Sequence, residues 1–388
     1  MPKRRVLIPV GNPVGGIRTY LIYNLKRLHE EGYRFTFLAP TCEGFDSLKQ
    51  ETATWEETEY IDTSHGEAAG LAAIWRTLRK QPFDLIHSQG LHTGTITALA
   101  NFFRKIPHLI TLHDVILPGQ NDFGRFALPK KWLTAFATRR ASCIIPVSHD
   151  CETDHLEFFP GWKKGPVQIK PILNGIDIDR IENARKRFET ERHLCLREQF
   201  GIGKEVILGG FFGRLMPQKG FDLVLSALAL LSERGYGDRF NIVATADRSG
   251  YLRETIRATD ANPDVAKMVH FIHTVPNVTP LLLQTDVLVM PSRWEACPIL
   301  TMEALVLGIP IIGSDCLGLR EVLSGTPDTV IPRENPEALA DAIAAFIENS
   351  QPAKDAAKNY VADAVKRFDV NIATEQLLDI YQSFAPVR

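Results

Sequence analysis

The sequence predicts an α/β protein built from two facing, Rossmann-like, doubly wound domains with an interdomain cleft. Three observations carry this expectation. At 388 residues the chain exceeds the size at which a single hydrophobic core keeps growing. Short apolar runs alternate with longer amphipathic stretches, the pattern of strand and helix in turn that gives a parallel sheet covered on both faces. That alternation stops over a highly charged stretch at 179–198 and then restarts.

In the first half the runs at 5–10, 34–39, 84–87, 108–112, 143–147 and 168–173 read as strands, with helices at 16–31 and 66–79 among the connections. After Asn174-Gly-Ile-Asp177 the charged stretch reads as a solvated connecting helix. The boundary falls there: a first domain over 1–173, a second over 174–368, and a C-terminal helix at about 369–388 packing back on the first. The second half offers strands at 206–210, 240–244, 269–273, 287–291 and 310–313, with helices at 220–234 and 299–307.

Composition bounds the partners. The 44 basic and 46 acidic residues leave a net charge of -2, too small for a global field that would collect nucleic acid or anionic lipid. The six cysteines contain no Cys-x-x-Cys pair, which suits reduced, buried thiols and not a disulfide framework or zinc site. The apolar run at 6–10 is shorter than a signal peptide's, and no stretch approaches the roughly 18 apolar residues that span a bilayer, so a cytoplasmic chain is expected.

Open parallel sheets bind ligands beyond the carboxyl ends of their strands, where glycine turns and helix N-termini present free N–H groups. The first strand ends in Gly11-Asn-Pro-Val-Gly-Gly16; its spacing is not a dinucleotide fingerprint, and it is either an anion-binding loop or a tight turn without a ligand. Beyond the strand at 206–210, Arg214 and Lys219 stand beside Gly220 and a helix start. Two cations there suit a diphosphate, because charge-assisted hydrogen bonds are about twice as strong as neutral ones; solvated surface cations are the alternative.

The strand at 287–291 runs into Ser292-Arg-Trp-Glu295, and Glu303 follows beyond Pro298, which marks a helix start. Glu295 at the helix's positive end could meet a sugar, and Glu303 could accept hydrogen bonds from ribose hydroxyls. The competing reading makes Glu295 a helix cap and Glu303 an exposed side chain. Glu303, however, sits amid Met302, Ala304, Leu305 and Leu307, and a carboxylate in such company needs partners. His113, at the end of the strand at 108–112, and His87 are suited to a sugar hydroxyl or a phosphate, or else are core histidines satisfied by backbone.

Together these residues resemble the retaining glycosyltransferases of family 4, of GT-B type. The resemblance is carried by Gly15-Gly16, His113-Asp114, Pro146-Val-Ser148, Asn174-Gly-Ile-Asp177, Gly213-Arg214, Lys219-Gly220, the pair Glu295 and Glu303, and Gly308-Ile-Pro310. It implies an acceptor-side first domain and a nucleotide-sugar-binding second one. It further implies that Arg214 and Lys219 bind the donor diphosphate, Glu303 the ribose, Glu295 the donor sugar near the reacting face, and His113 an outer hydroxyl of that sugar. Gly15, Gly16, Pro298, Ile299 and Leu300 would line the donor.

The implied reaction moves a hexose, with UDP-glucose the first expectation and GDP-mannose the second, to a carbohydrate or lipid-linked saccharide acceptor in polysaccharide biosynthesis. A catalytically inactive nucleotide-sugar-binding partner subunit and a sugar-nucleotide epimerase of the same architecture are the rivals. The stretches 244–250 and 273–276 depart from the family's usual glycine turns, which leaves the base open.

The one Asp-x-Asp, Asp177-Ile-Asp179, lies in the connecting segment, so no cofactor and no metal are expected: the cations Arg214 and Lys219 would take a metal's place. Lys130, Lys131 and Trp132, with Arg139 and Arg140, form a basic, partly aromatic helix suited to peripheral contact with the inner face of an anionic membrane, or simply a solvated helix face.

Overall fold

The computed structural model describes residues 3–63, 66–116, 127–191, 195–246, 250–273, 275 and 277–387. Parts of the two departures from the family's glycine turns, at 247–249, 274 and 276, lie outside the described residues. The chain divides into two compact units, one formed by Met1–Gly175 with Val370–Arg388 and the other by Ile176–Asp369.

The first unit is a parallel sheet of seven strands: β1 (Arg4–Pro9), β2 (Tyr33–Pro40), β3 (Glu59–Thr63), β4 (Leu85–Gln89), β5 (His108–Leu112), β6 (Cys143–Pro146) and β7 (Gln168–Ile169), in the order β3-β2-β1-β4-β5-β6-β7. The chain order reverses between β1 and β4, the switch point of a doubly wound sheet. β7 is shorter than the apolar run at 168–173 suggests: Pro171 follows closely and has no N–H to give to a ladder.

Helix Gly16–Glu30 places Leu21, Leu25 and Leu28 on one face, at helical spacing, against β1 and β2. Helix Val370–Phe384 lies against it and adds Leu377, Ile380 and Tyr381 to the same core. Tyr33 donates its hydroxyl to the Ala385 carbonyl at 3.1 Å, and Arg4 Nε donates to the Pro386 carbonyl at 2.7 Å.

His87 is a core histidine. It is fully buried on β4, and its ring nitrogens bond the Tyr381 hydroxyl at 2.7 Å and Thr111 Oγ1 at 2.6 Å. Burial pushes its pKa down to about 3, so the ring is neutral. Of the two readings of His87, the core histidine is the one found, with side chains of its own unit and not backbone carbonyls as partners; both nitrogens are spent there.

The second unit is a parallel sheet of six strands: β8 (Ile207–Phe211), β9 (Phe240–Ala246), β10 (Val269–His273), β11 (Val287–Met290), β12 (Ile311–Ser314) and β13 (Thr329–Ile331), in the order β10-β9-β8-β11-β12-β13. Its switch point lies between β8 and β11. Helix Phe221–Glu233 turns Val224, Leu228 and Leu231 onto the sheet. Asp286, just before β11, accepts from Arg197 at 2.6 Å, from Lys354 at 2.6 Å and from the Leu208 amide at 2.8 Å, tying the start of β8 to β11. The elements that flank the switch point are held at both ends of the strands.

Candidate active site

Two loops leave the carboxyl ends of β8 and β11 at the second unit's switch point, and they are stitched together. The Arg293 amide donates to the Gln218 carbonyl at 2.8 Å, and Gln218 Nε2 donates to the Trp294 carbonyl at 2.9 Å. The Arg293 guanidinium grips both Asp222 oxygens at 2.9 and 2.7 Å and donates to the Pro217 carbonyl at 2.6 Å. A planar guanidinium in such bidentate contact fixes orientation as well as distance. A 3-10 turn, Pro217–Lys219, ends in Gly220 with φ +72°, where a Cβ would collide with the Pro291 carbonyl oxygen. Glycine is what lets the β8 loop lie on the end of β11.

This clamp brings Lys219 to Glu295. Lys219 Nζ donates to Glu295 Oε1 at 2.6 Å, and Ser292 Oγ donates to the same oxygen at 2.8 Å. Glu295 is only 5% exposed. It is not the helix cap: Pro298 occupies that position before helix Ile299–Leu307, with no side-chain cap bond. Pro298 is buried there, and Ile299 and Leu300 are half-buried in the first turn.

Arg214 lies on the same β8 loop with its side chain exposed, and no described residue pairs with its guanidinium. The backbone beside it is fixed, because Thr245 Oγ1 accepts from the Gly213 amide at 2.9 Å and donates to the Gly213 carbonyl at 3.0 Å. Glu303 stands further along helix Ile299–Leu307. It is half-buried and not exposed, and no described residue donates a hydrogen bond to it. Burial lifts its carboxyl to about 7, a rise that the Arg180 charge opposes.

In the first unit, Gly15 at φ +53° and Gly16 open helix Gly16–Glu30 at the end of β1, and both are exposed. His113, just past β5, keeps some solvent exposure within a dense surround. Its Nε2 meets Gln89 Oε1 at 2.8 Å, its ring stands edge-on to Tyr20 at 4.7 Å, and burial holds its pKa near about 3. A carboxamide oxygen only accepts, so Nε2 carries the proton and Nδ1 is the free acceptor.

Asp177 caps helix Ile178–Thr190 through the Arg180 amide at 2.9 Å. Among the described residues no group of three or more His, Cys, Asp or Glu side chains is placed to hold a metal ion. Lys130, Lys131 and Trp132 lie on helix Ala127–Thr138, and Arg139 and Arg140 follow it. No helix among the described residues is long and apolar enough to cross a membrane.

Sequence reasoning missed Ser292, Arg293, Gln218 and Gln89. The first two stand inside the string that led to Glu295, yet nothing local says that Ser292 turns back on that carboxylate. Gln218 and Gln89 carry no chemistry that a spacing argument would select.

Two doubly wound sheets in one chain, with a cation-bearing loop over the switch point of the second, define a GT-B glycosyltransferase fold. The chain matches the family described as Glycosyltransferase Family 4 over residues 14–180 and Glycosyl transferases group 1 over residues 196–362. It belongs to the family-4, group-1 glycosyltransferases.

Among its relatives is a lipopolysaccharide core biosynthesis mannosyltransferase of Rhizobium meliloti, 27% identical over 55% of this chain and 60% of that protein. Another is an Escherichia coli UDP-Gal:alpha-D-GlcNAc-diphosphoundecaprenol alpha-1,3-galactosyltransferase, 24% identical over 64% of this chain and 63% of that one. The match thus spans somewhat under two thirds of either relative. The fold is shared with Anabaena Alr3699/HepE in complex with UDP-glucose, at a TM-score of 0.81 and 20% identity over 98% of this chain and 99% of that one.

Proposed function

We propose that this chain is a retaining hexosyltransferase that takes its sugar from a nucleoside diphosphate hexose, UDP-glucose first, and delivers it to a carbohydrate or lipid-linked saccharide in polysaccharide biosynthesis. The observation that carries the reading is the clamp at the second switch point, where Lys219 is locked onto Glu295 while Arg214 on the same loop is left open to solvent. Arg214 and Lys219 take the donor diphosphate, and Glu303 takes the ribose hydroxyls. Glu295, already holding Lys219, faces the transferred sugar. On the first unit, His113 Nδ1 is an acceptor suited to a sugar hydroxyl, and Gly15 and Gly16 leave the backbone open to a ligand.

The sugar–phosphate bond breaks with its electron pair on the diphosphate oxygen, and the acceptor hydroxyl oxygen bonds to the anomeric carbon on the face the diphosphate leaves. The acceptor's proton passes to that departing oxygen. Attack on this face keeps the anomeric configuration and needs no carboxylate nucleophile. Lys219, fixed before the reaction, and Arg214 stabilise the charge building on the leaving oxygen, and the step proceeds without a metal.

The test is to offer UDP-glucose, UDP-galactose and GDP-mannose to the purified chain, read donor binding by thermal shift and product by NMR. A donor present at 100 times its dissociation constant stabilises by about 2.7 kcal/mol. An alpha-linked product formed in EDTA is expected. A beta linkage, or activity that EDTA abolishes and manganese restores, overturns the mechanism.

A further inference from the structure

The first unit carries a face that its own fold leaves uncovered. Helices Glu67–Lys80, Leu91–Ala100 and Ala127–Thr138 pack side by side. Of the thirteen large apolar side chains exposed among the described residues, eight belong to these helices and the turn after the second, and the other five are dispersed through the rest of the chain. Exposed apolar side chains are ordinary when single, whereas a contiguous group marks a surface that something covers.

The aromatic members of this group on the second and third helices' side are contiguous. Phe103, 89% exposed, meets Phe102 at 5.0 Å; Arg140 lies over both Phe102 and Phe136, at 4.2 and 4.4 Å; and Phe136 stacks on Trp132 at 5.3 Å. Leu128, Trp132 and Phe136, four residues apart in turn, form one stripe of the helix, with Leu128 79% and Trp132 67% exposed.

Along the two segments that carry the aromatic stripe the charge has one sign. Segments 85–113 and 127–149 contain no Asp or Glu and carry Arg104, Lys105, Lys130, Lys131, Arg139 and Arg140. In a chain whose net charge is -2, that surplus is local, and it borders the aromatic stripe. A protein partner's apolar patch would answer the aromatics alone. A surface that is negative at its boundary and apolar just beneath answers both the cations and the rings.

We infer that this face docks on an anionic lipid membrane, with the Trp132, Phe136 and Phe103 rings entering the headgroup boundary and the surrounding cations meeting lipid phosphates. The inference does not use the sugar-transfer reading. Its test contains no sugar nucleotide, so either can fail without the other.

The experiment is flotation of the full chain with vesicles of phosphatidylcholine alone and of phosphatidylcholine with about one third phosphatidylglycerol. Partition onto the anionic vesicles only, weakened by salt, is expected. Trp132→Ser with Phe103→Ser lowers it by about tenfold or more. Arg104→Ser with Arg139→Ser lowers it by about fivefold per cation. All four positions are exposed, and unchanged thermal unfolding of the variants confirms intact folds. No partition of the wild type, equal partition onto neutral vesicles, or wild-type partition by both double variants overturns the inference. So does a dimer of this chain that Trp132→Ser with Phe103→Ser dissociates while vesicles go unbound.

Discussion

Lys219 and Glu295, 76 residues apart in sequence, meet at 2.6 Å through Nζ and Oε1, and Ser292 donates to the same carboxylate oxygen. Because Glu295 is almost wholly buried, the lysine is part of what makes its charge tolerable there. Lys219→Met should therefore lower stability by about 1–3 kcal/mol, the penalty of leaving a buried polar group short of a partner. Glu295→Gln in the same chain should recover part of that loss. Denaturant unfolding of the two single variants and the double variant reads the coupling; strictly additive losses would show that the pair is not an energetic unit.

Arg214 shares the loop and should behave differently. Its guanidinium is exposed and has no described partner, so Arg214→Ala leaves the unfolding midpoint in place. Loss of a charge-assisted contact to phosphate weakens UDP binding by about tenfold to a hundredfold. Titration calorimetry with UDP decides, and an unchanged affinity removes Arg214 from the site.

Glu303 gives the site a pH signature. Its folded carboxyl is raised from 4.5 to about 7, mainly by burial. A raised carboxyl favours the folded state fully below about 4.5, and that advantage is lost as pH climbs through 7. Glu303→Gln should gain stability over the wild type across that window and level off above it, by at most about 3 kcal/mol. Ribose hydroxyls donating to the carboxylate favour its charged form, so UDP affinity should rise with pH through 7 in the wild type and stay flat in the variant. Affinity that falls over this range contradicts the ribose assignment.

Two glycines separate backbone strain from crowding. Gly15, at φ +53°, has no atom within 4 Å of where a Cβ would sit, and Gly15→Ala should cost about 1 kcal/mol from the backbone alone. Gly220→Ala adds a collision with the Pro291 carbonyl oxygen to the same kind of strain and should cost more, with donor binding lost as the two loops part. Unfolding curves showing equal losses would mean that the β8 loop can slide off β11 without consequence.

How much of this was legible follows from burial. β1, β5, β8 and β11 are largely buried and read as mainly apolar runs. β3 and β13 escaped notice because they are edge strands with exposed positions; Glu59 and Asp62 break any apolar pattern in β3. His87 and His113 looked alike as histidines at strand ends. What separates them is Tyr381, 294 residues away, whose hydroxyl engages one nitrogen of His87. The cations and carboxylates proposed for the second unit's site were singled out from residue type and position beside glycines and a helix start. The fact that Lys219 and Glu295 hold each other was not, since no spacing rule reaches across two strand ends.

The helix Val370–Phe384 completes the core of the first unit, yet those residues leave the ribosome after the whole of 176–369. Order of synthesis and order of completion are therefore inverted. The second unit has its entire sequence in hand while the first still lacks Leu377, Ile380 and Tyr381 against the helix Gly16–Glu30, and Tyr33 has no Ala385 carbonyl to receive its proton. A nascent chain stalled before residue 370 would carry a finished C-terminal sheet and an N-terminal one with an open apolar seam. During that interval the first unit depends on chaperones, or on the speed of translation, to keep the seam from other chains.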